Sequence, residues 1–264
     1  TLAMAQREGK SCLLVDAEGA YTKEWGALLG IDNDQLIIVR DQKAISKVTD
    51  TVKDYILAGI DFVLIDSVTA LVPGSNFEKK TNELRRFEET NQLGQFSKDI
   101  GKMSVTFNLI NEKTLILLIS QATTGIYTYG AVPEPTGGKK VGHINSTSIK
   151  FSGSLSEKDQ IQGTVTDGDR TYTQPIGRPV TWYVDKARNG GMNSRGGYNL
   201  YFAGDLIGID TIEETITMAI QVGVVQQRGA WFYYGDDKFQ GKESLVSTLK
   251  DNPELLEEIR TKLL

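Results

Sequence analysis

Two short apolar runs in this 264-residue chain end in carboxylates. Cys12-Leu13-Leu14-Val15-Asp16-Ala17-Glu18 comes first, and Phe62-Val63-Leu64-Ile65-Asp66-Ser67 follows beyond a stretch of helical spacing. An acidic residue closing a buried strand can hold a magnesium ion through water, and a second carboxylate beside it can orient an attacking water for phosphoryl transfer. Glu18 and Asp66 are the candidates for these two roles. Aspartate also caps the turns that leave strands, so a purely structural role for Asp16 and Asp66 stays open at this point.

Chemistry of this kind needs both carboxylates on one edge. Runs without polar alternation, separated by a helix, read as strands of a parallel sheet buried on both faces, and ligands of such sheets bind beyond the carboxyl ends of the strands. Leu36-Ile37-Ile38-Val39 supplies another strand, and Ile45, Val48, Val52, Tyr55 and Ile56 recur at helical spacing. A short helix is predicted over Trp25–Leu29, a long one around Asn91–Phe107, and a strand over Leu117–Gln121. After residue 148 the pattern changes. Ile149–Leu155, Val180–Val184 and Tyr198–Phe202 read as strands joined by turn-rich links, expected as antiparallel additions to the same sheet. From about Glu213 the chain reads as helical, with Ile212, Ile216 and Ile220 on one face, then an aromatic hairpin and a closing helix with Pro253 in its first turn. A domain boundary is placed near residue 208, giving 1–208 and 209–264.

Composition excludes several classes. With 39% hydrophobic and 24% charged residues the chain is ordinary for a globular protein. The single cysteine, Cys12, rules out an internal disulfide and reads as an inert core thiol, while the single histidine, His143, argues against a His/Cys metal site. No apolar run reaches the roughly 20 residues of a membrane span, and no signal peptide is evident. These features lead to the expectation of a cytoplasmic protein without a membrane partner. The net charge of −5 does not forbid nucleic acid binding, because a basic groove can coexist with an acidic exterior.

Longer segments resemble the bacterial and phage RecA recombinases. Gln6-Arg7-Glu8-Gly9-Lys10 leading into Val15-Asp16-Ala17-Glu18-Gly19-Ala20 looks like the strand after that family's phosphate-loop helix. Ile65-Asp66-Ser67-Val68-Thr69-Ala70-Leu71-Val72-Pro73 resembles its Walker B strand and exit, and Leu117-Leu118-Ile119-Ser120-Gln121 the strand whose terminal glutamine senses the γ-phosphate. Gly229-Ala230-Trp231-Phe232-Tyr233-Tyr234, Gln240-Gly241-Lys242 and Leu249-Lys250-Asp251-Asn252-Pro253 are similar to the small carboxyl-terminal domain of the family. The resemblance implies an α/β fold: a RecA-type P-loop NTPase core with a mostly parallel sheet covered by helices, antiparallel additions, and a small α+β carboxyl-terminal domain. The family's glycine-rich loop ending in Gly-Lys-Ser/Thr is absent from these residues. The expectation is a chain that begins just downstream of that loop, with a non-hydrolysing DNA-binding paralogue as the alternative.

The resemblance implies ATP and Mg2+ as cofactors, single-stranded and double-stranded DNA as partners, and a homo-oligomeric helical filament. By it, Glu18 polarises the attacking water, Asp66 supports magnesium through water, and Ser67 adjoins the nucleotide. Gln121 relays the γ-phosphate state, and Lys186 and Arg188 reach the ATP of a neighbouring subunit. Trp25 falls where the family stacks an aromatic ring on adenine; a core tryptophan is the competing reading. The Gly229–Tyr234 aromatics are expected to pack the small domain. The long loop Ala122–Ser148 carries Gly125, Tyr127, Tyr129, Gly130, Gly137, Gly138, Lys139 and Lys140, and matches the family's second DNA-binding loop in position. A first DNA-binding loop is placed at Pro73–Glu89, with Lys79, Lys80, Arg85 and Arg86; a solvated helix face explains those charges equally well. The function so implied is ATP-dependent homologous pairing and strand exchange, in a bacterial cell or a phage-infected host. A RecA-like hexameric helicase or regulator is the alternative within the fold.

Overall fold

A computed structural model of the chain describes residues 1–40, 42–72, 91, 93–96, 98–102, 114–123, 134–135, 145–153, 156–168, 170–204 and 206–263. By packing the chain comprises two compact units, Thr1–Ser148 with Lys186–Gly190, and Ile149–Asp185 with Gly191–Leu264.

The first unit is built on four parallel strands: β1 (Cys12–Asp16), β2 (Leu36–Arg40), β3 (Phe62–Asp66) and β4 (Leu115–Leu118), ordered β2-β1-β3-β4. Every residue of β1 is buried, as expected of an apolar run without alternation. Its side chains divide between the faces with the period of two that a strand imposes. Leu13 and Val15 join Val63 and Ile65 in one core, under the helix Ile45–Leu57, whose buried Ile45, Val48, Val52 and Ile56 recur at helical spacing. Leu93, Phe96 and Ile100 join the same core from a helical segment within the predicted 91–107 helix. Cys12 and Leu14 pack with Leu2, Leu36 and Phe62 in the other core. The Cys12 thiol is fully buried, and burial, then the Asp61 carboxylate, raises its pKa. At the amino ends of β1 and β3, Ser11 donates its N–H and Oγ to Asp61 Oδ2 at 2.9 and 2.8 Å, and the Asp61 N–H donates to Ser11 Oγ at 3.0 Å.

The three strands predicted after residue 148 all appear, largely in the second unit, but not where they were expected to pair. Thr147–Gly153, Ile161–Asp167, Arg170–Ala187, Arg195–Tyr201 and Gly208–Ile209 form a five-stranded sheet of their own rather than additions to the parallel one. The 18-residue strand Arg170–Ala187 is its centre, pairing antiparallel with Arg195–Tyr201 and with Ile161–Asp167. Hairpin partners close in sequence satisfy that strand's backbone groups locally, so it has no need of the parallel sheet.

The remainder of this unit packs three helices, Thr211–Gln221, Lys242–Asp251 and Pro253–Thr261, against a three-stranded sheet of Gln226–Arg228, Trp231–Tyr234 and Asp237–Gln240. Ile216, Leu245, Leu249 and Ile259 lie fully buried at its centre, and Phe232 and Tyr234 complete the core, so the packing role expected of the hairpin aromatics holds for those two rings. Trp231 and Tyr233 occupy the opposite strand face, where the Lys238 ammonium lies 4.0 Å from the Trp231 ring centroid. Pro253 opens its helix, and Asn252 Oδ1 caps it by accepting from the Leu255 N–H at 3.3 Å. Glu213 accepts from Lys242 at 2.6 Å and from Asn199 of the five-stranded sheet at 3.2 Å, the latter a polar contact across residue 208. Among the described residues no helix is long and apolar enough to cross a membrane.

Leu245 is 0% exposed, so Leu245→Ala deletes core methyl groups at a site walled in by three helices and a sheet. The expected loss is about 2–4 kcal/mol, read as a lower urea midpoint when unfolding is followed by far-UV circular dichroism.

Candidate active site

The pairing of β1 with β3 stays in register to their last residues, Asp16 opposite Asp66. Beyond it, the Ala17 and Glu18 N–H groups both donate to the Asp66 carbonyl, at 2.8 and 3.2 Å. Glu18 and Asp66 therefore share one edge, as the sequence predicted.

Asp16 itself is a structural group. Only 2% exposed, it accepts from the Gly19 and Ala20 N–H groups through Oδ1 at 2.8 and 3.0 Å, and from Tyr21 through Oδ2 at 3.2 Å. Arg40, its register partner on β2, lies 3.4 Å from Oδ2 and also donates to the Tyr21 carbonyl at 2.7 Å. Gly19 permits the turn through its φ of 73°. Gly26 leaves room for the Tyr21 ring, since a Cβ there would meet the Tyr21 hydroxyl at 2.0 Å. The turn-capping reading, left open for both aspartates, holds for Asp16.

Ser67 lies 1% exposed behind the Glu18 loop, and its Oγ donates to Glu18 Oε1 in a short hydrogen bond. The Asp66–Ser67 peptide is cis. A single 3-10 turn, Val68–Ala70, follows. There the Val68 N–H donates to the Ile119 carbonyl at 2.9 Å, and Thr69 Oγ1 accepts from the Gln121 N–H at 3.1 Å. The structure thus brings Glu18, Asp66, Ser67 and Gln121 to one edge. Arg40 and Thr69 were missed by sequence reasoning. Arg40 ends its strand as Asp16 ends β1, a signal available in the sequence; nothing in the sequence marks Thr69, whose partner is distant in the chain.

Trp25 stands on the short helix Lys23–Leu28 and is 41% exposed, which excludes the core-tryptophan reading. Lys186 and Arg188 lie at the end of the strand Arg170–Ala187, and the Arg188 N–H donates to the Ser146 carbonyl at 3.0 Å. Burial, then the Arg188 guanidinium, lowers the Lys186 pKa. In the long loop, Ala122 and Thr123 pair antiparallel with Pro135 and Glu134. Gly125, Tyr127, Gly137, Gly138, Lys139, Lys140, Arg85 and Arg86 lie outside the described residues.

The two register-paired aspartates differ electrostatically. The Asp66 carboxyl is pushed above its ordinary 3.8 by burial, then by Glu18 and Asp16. The folded chain therefore holds this proton more tightly than the unfolded one. Stability is greatest with the carboxyl protonated and falls as pH rises from 3.8 through the raised value. Asp66→Asn is expected to remove that fall and to leave the variant more stable than the parent at neutral pH. Asp16→Ala, which strands three N–H groups and removes the Arg40 ion pair, is expected to cost about 2–4 kcal/mol. Urea unfolding at several pH values checks both signs.

Comparison with known proteins agrees with this geometry. A family model described as the RecA N-terminal domain matches residues 1–167, and one described as the RecA C-terminal domain matches residues 213–264. Protein RecA of Fusobacterium nucleatum subsp. nucleatum is 31% identical over 267 residues, spanning 99% of this chain and 65% of that protein. Protein RecA of Ureaplasma parvum serovar 3 is 30% identical over 276 residues, spanning 100% of this chain and 74% of that protein. Protein RecA of Sulfurovum sp. is 30% identical over 263 residues, spanning 98% and 70%. The chain thus spans about two thirds to three quarters of these relatives' length. With both family models matched and the two carboxylates and the glutamine gathered on one sheet edge, the chain belongs to the RecA recombinase family.

Proposed function

We propose that this protein is an ATP-dependent DNA recombinase that forms helical filaments on single-stranded DNA and promotes homologous pairing and strand exchange in recombination and repair. The observation that carries the reading is the convergence of Glu18, Asp66 and Gln121 on one edge of a parallel sheet in a chain of this family. The setting proposed is the cytoplasm of a bacterium or a phage-infected cell. Residues 1–208 are proposed as the ATPase core and residues 209–264 as the small carboxyl-terminal domain, a division supported by that segment's own apolar core.

The donor set suits Mg2+ accompanied by phosphate. Among the described residues no three His, Cys, Asp or Glu groups are placed to hold a metal together. Mg2+ takes one or two carboxylates and fills its remaining positions with waters and phosphate oxygens, and Asp66, crowded by Glu18 and Asp16, gains from a nearby cation. Bound Mg2+ would neutralise charge on the β- and γ-phosphates. On the protein side, Glu18 holds the attacking water through the oxygen that Ser67 leaves available and accepts its proton. Gln121 reports the γ-phosphate to the loop that begins one residue later. Ser67, buried, is proposed to adjoin the nucleotide from behind Glu18 rather than to touch it, and exposed Trp25 offers a ring for adenine to stack on.

Lys186 and Arg188 are proposed to complete the site from the neighbouring subunit, so that hydrolysis belongs to the filament rather than to the lone chain. DNA is proposed to lie against Gly125, Tyr127, Gly137, Gly138, Lys139 and Lys140, with Arg85 and Arg86 as further contacts. Glycines there allow close backbone approach, and the cations neutralise phosphates.

ATP turnover by the natural full-length protein, measured with and without single-stranded DNA, tests the proposal. DNA-stimulated turnover is expected, reduced about 100-fold in Glu18→Gln and in Lys186→Ala, with single-stranded DNA binding retained in Glu18→Gln. DNA-independent turnover would favour a motor or regulator, and DNA binding without turnover a non-hydrolysing paralogue.

A further inference from the structure

The turn that follows β3 carries two hydroxyls, and each engages a different part of the site. Ser67 Oγ donates to Glu18 Oε1, whereas Thr69 Oγ1 accepts the Gln121 N–H at 3.1 Å. Between them the Val68 N–H is tied to the Ile119 carbonyl at 2.9 Å, and the Ile119 N–H returns to the Ile65 carbonyl at 3.0 Å. The turn is also closed on itself, with the Ala70 N–H donating to the Ser67 carbonyl at 3.1 Å. Ser67 and Val68 are 1% and 2% exposed, so its base is packed on all sides. A short, buried, internally bonded element of this kind has little freedom to deform and moves as a piece.

We propose that Ser67 and Thr69 are positioning residues, and that the turn they belong to is a bracket coupling the water-holding Glu18 to the phosphate-sensing Gln121. The proposal rests on the ATP-hydrolysis reading above and assigns two side chains to roles within it. Ser67 engages one carboxylate oxygen and so fixes the plane of the Glu18 carboxylate, leaving Oε2 for the water. Thr69 sets the backbone of Gln121, and thereby the origin of its side chain and the start of the loop that follows. A displacement of Gln121 on loss of the γ-phosphate is carried through the bracket to Glu18, and the reverse holds equally. The required chemistry is specific. At position 69 a hydroxyl can accept an N–H, and the isosteric valine cannot.

The test uses the natural full-length protein with Ser67→Ala, Thr69→Val, Thr69→Ser and the Ser67→Ala/Thr69→Val double variant. Three quantities are read: steady-state ATP turnover on single-stranded DNA, the Kd of a non-hydrolysable ATP analogue, and hydrogen exchange at the Gln121 amide. Each of Ser67→Ala and Thr69→Val is expected to lower kcat about tenfold, with KM and the analogue Kd within about twofold of the parent. Gln121 amide exchange is expected to quicken in Thr69→Val and to return to the parental rate, with kcat, in Thr69→Ser. The double variant is expected to lose much less than the product of the two single losses, the signature of groups acting as a unit. Multiplicative losses, or parental kcat and parental exchange in Thr69→Val, would overturn the bracket. Absence of turnover in the parent would instead overturn the ATPase reading. The exchange data would still decide the bracket, parental exchange in Thr69→Val counting against it and faster exchange rescued by Thr69→Ser counting for it.

Discussion

The pairing of β1 with β3 to their final residues constrains everything else at the sheet edge. At one end Ser11 and Asp61 lock the strands through reciprocal hydrogen bonds; at the other the Asp66 carbonyl gathers the Ala17 and Glu18 N–H groups. Because side chains alternate with a period of two, a slip of one residue would exchange the two faces of β1 and carry Leu13 and Val15 out of their core. Burial of both faces therefore makes the register stringent, and the register delivers Glu18 to Asp66. The position of the chemistry is a consequence of apolar packing several residues away from it.

That arrangement has an electrostatic cost, which the two aspartates divide unequally. Asp16 is surrounded by donors and stabilises the loop that carries Glu18. Asp66 has carboxylates as its charged neighbours, and its pKa rises accordingly. Crowding of this sort illustrates why the most stable chain and the most active one need not coincide. Ser67 moderates the crowding from the other side, since its hydroxyl engages the Glu18 oxygen that would otherwise face the buried turn.

How much of this was legible in the sequence depended on how the residues pack. The strands ending at Asp16 and Asp66, and the helix of Ile45, Val48, Val52 and Ile56, declared themselves because burial on both faces, or on one helical stripe, leaves an apolar pattern. The small carboxyl-terminal core was legible for the same reason. The five-stranded sheet was legible only in pieces. Its central strand is largely exposed or half-buried and contains Pro175 and Pro179, residues that argue against a long strand; Pro175 sits beside the irregularity in the pairing with Ile161 and Gln162, where a missing N–H is tolerated. Glu18, Asp66 and Gln121 could be named from motif resemblance. The fastening of Gln121 by Thr69 could not, because a hydrogen bond between residues far apart in the chain leaves no periodic trace.

The buried thiol of Cys12 has a practical consequence. It is the only sulfhydryl in these 264 residues, and the core of the parallel sheet shields it from solvent. Within these residues, a cysteine introduced at an exposed position therefore becomes the one thiol that a water-borne maleimide readily meets. A fluorophore, spin label or surface tether can be attached at a single chosen point without first engineering away the native sulfur and disturbing the strand that carries it.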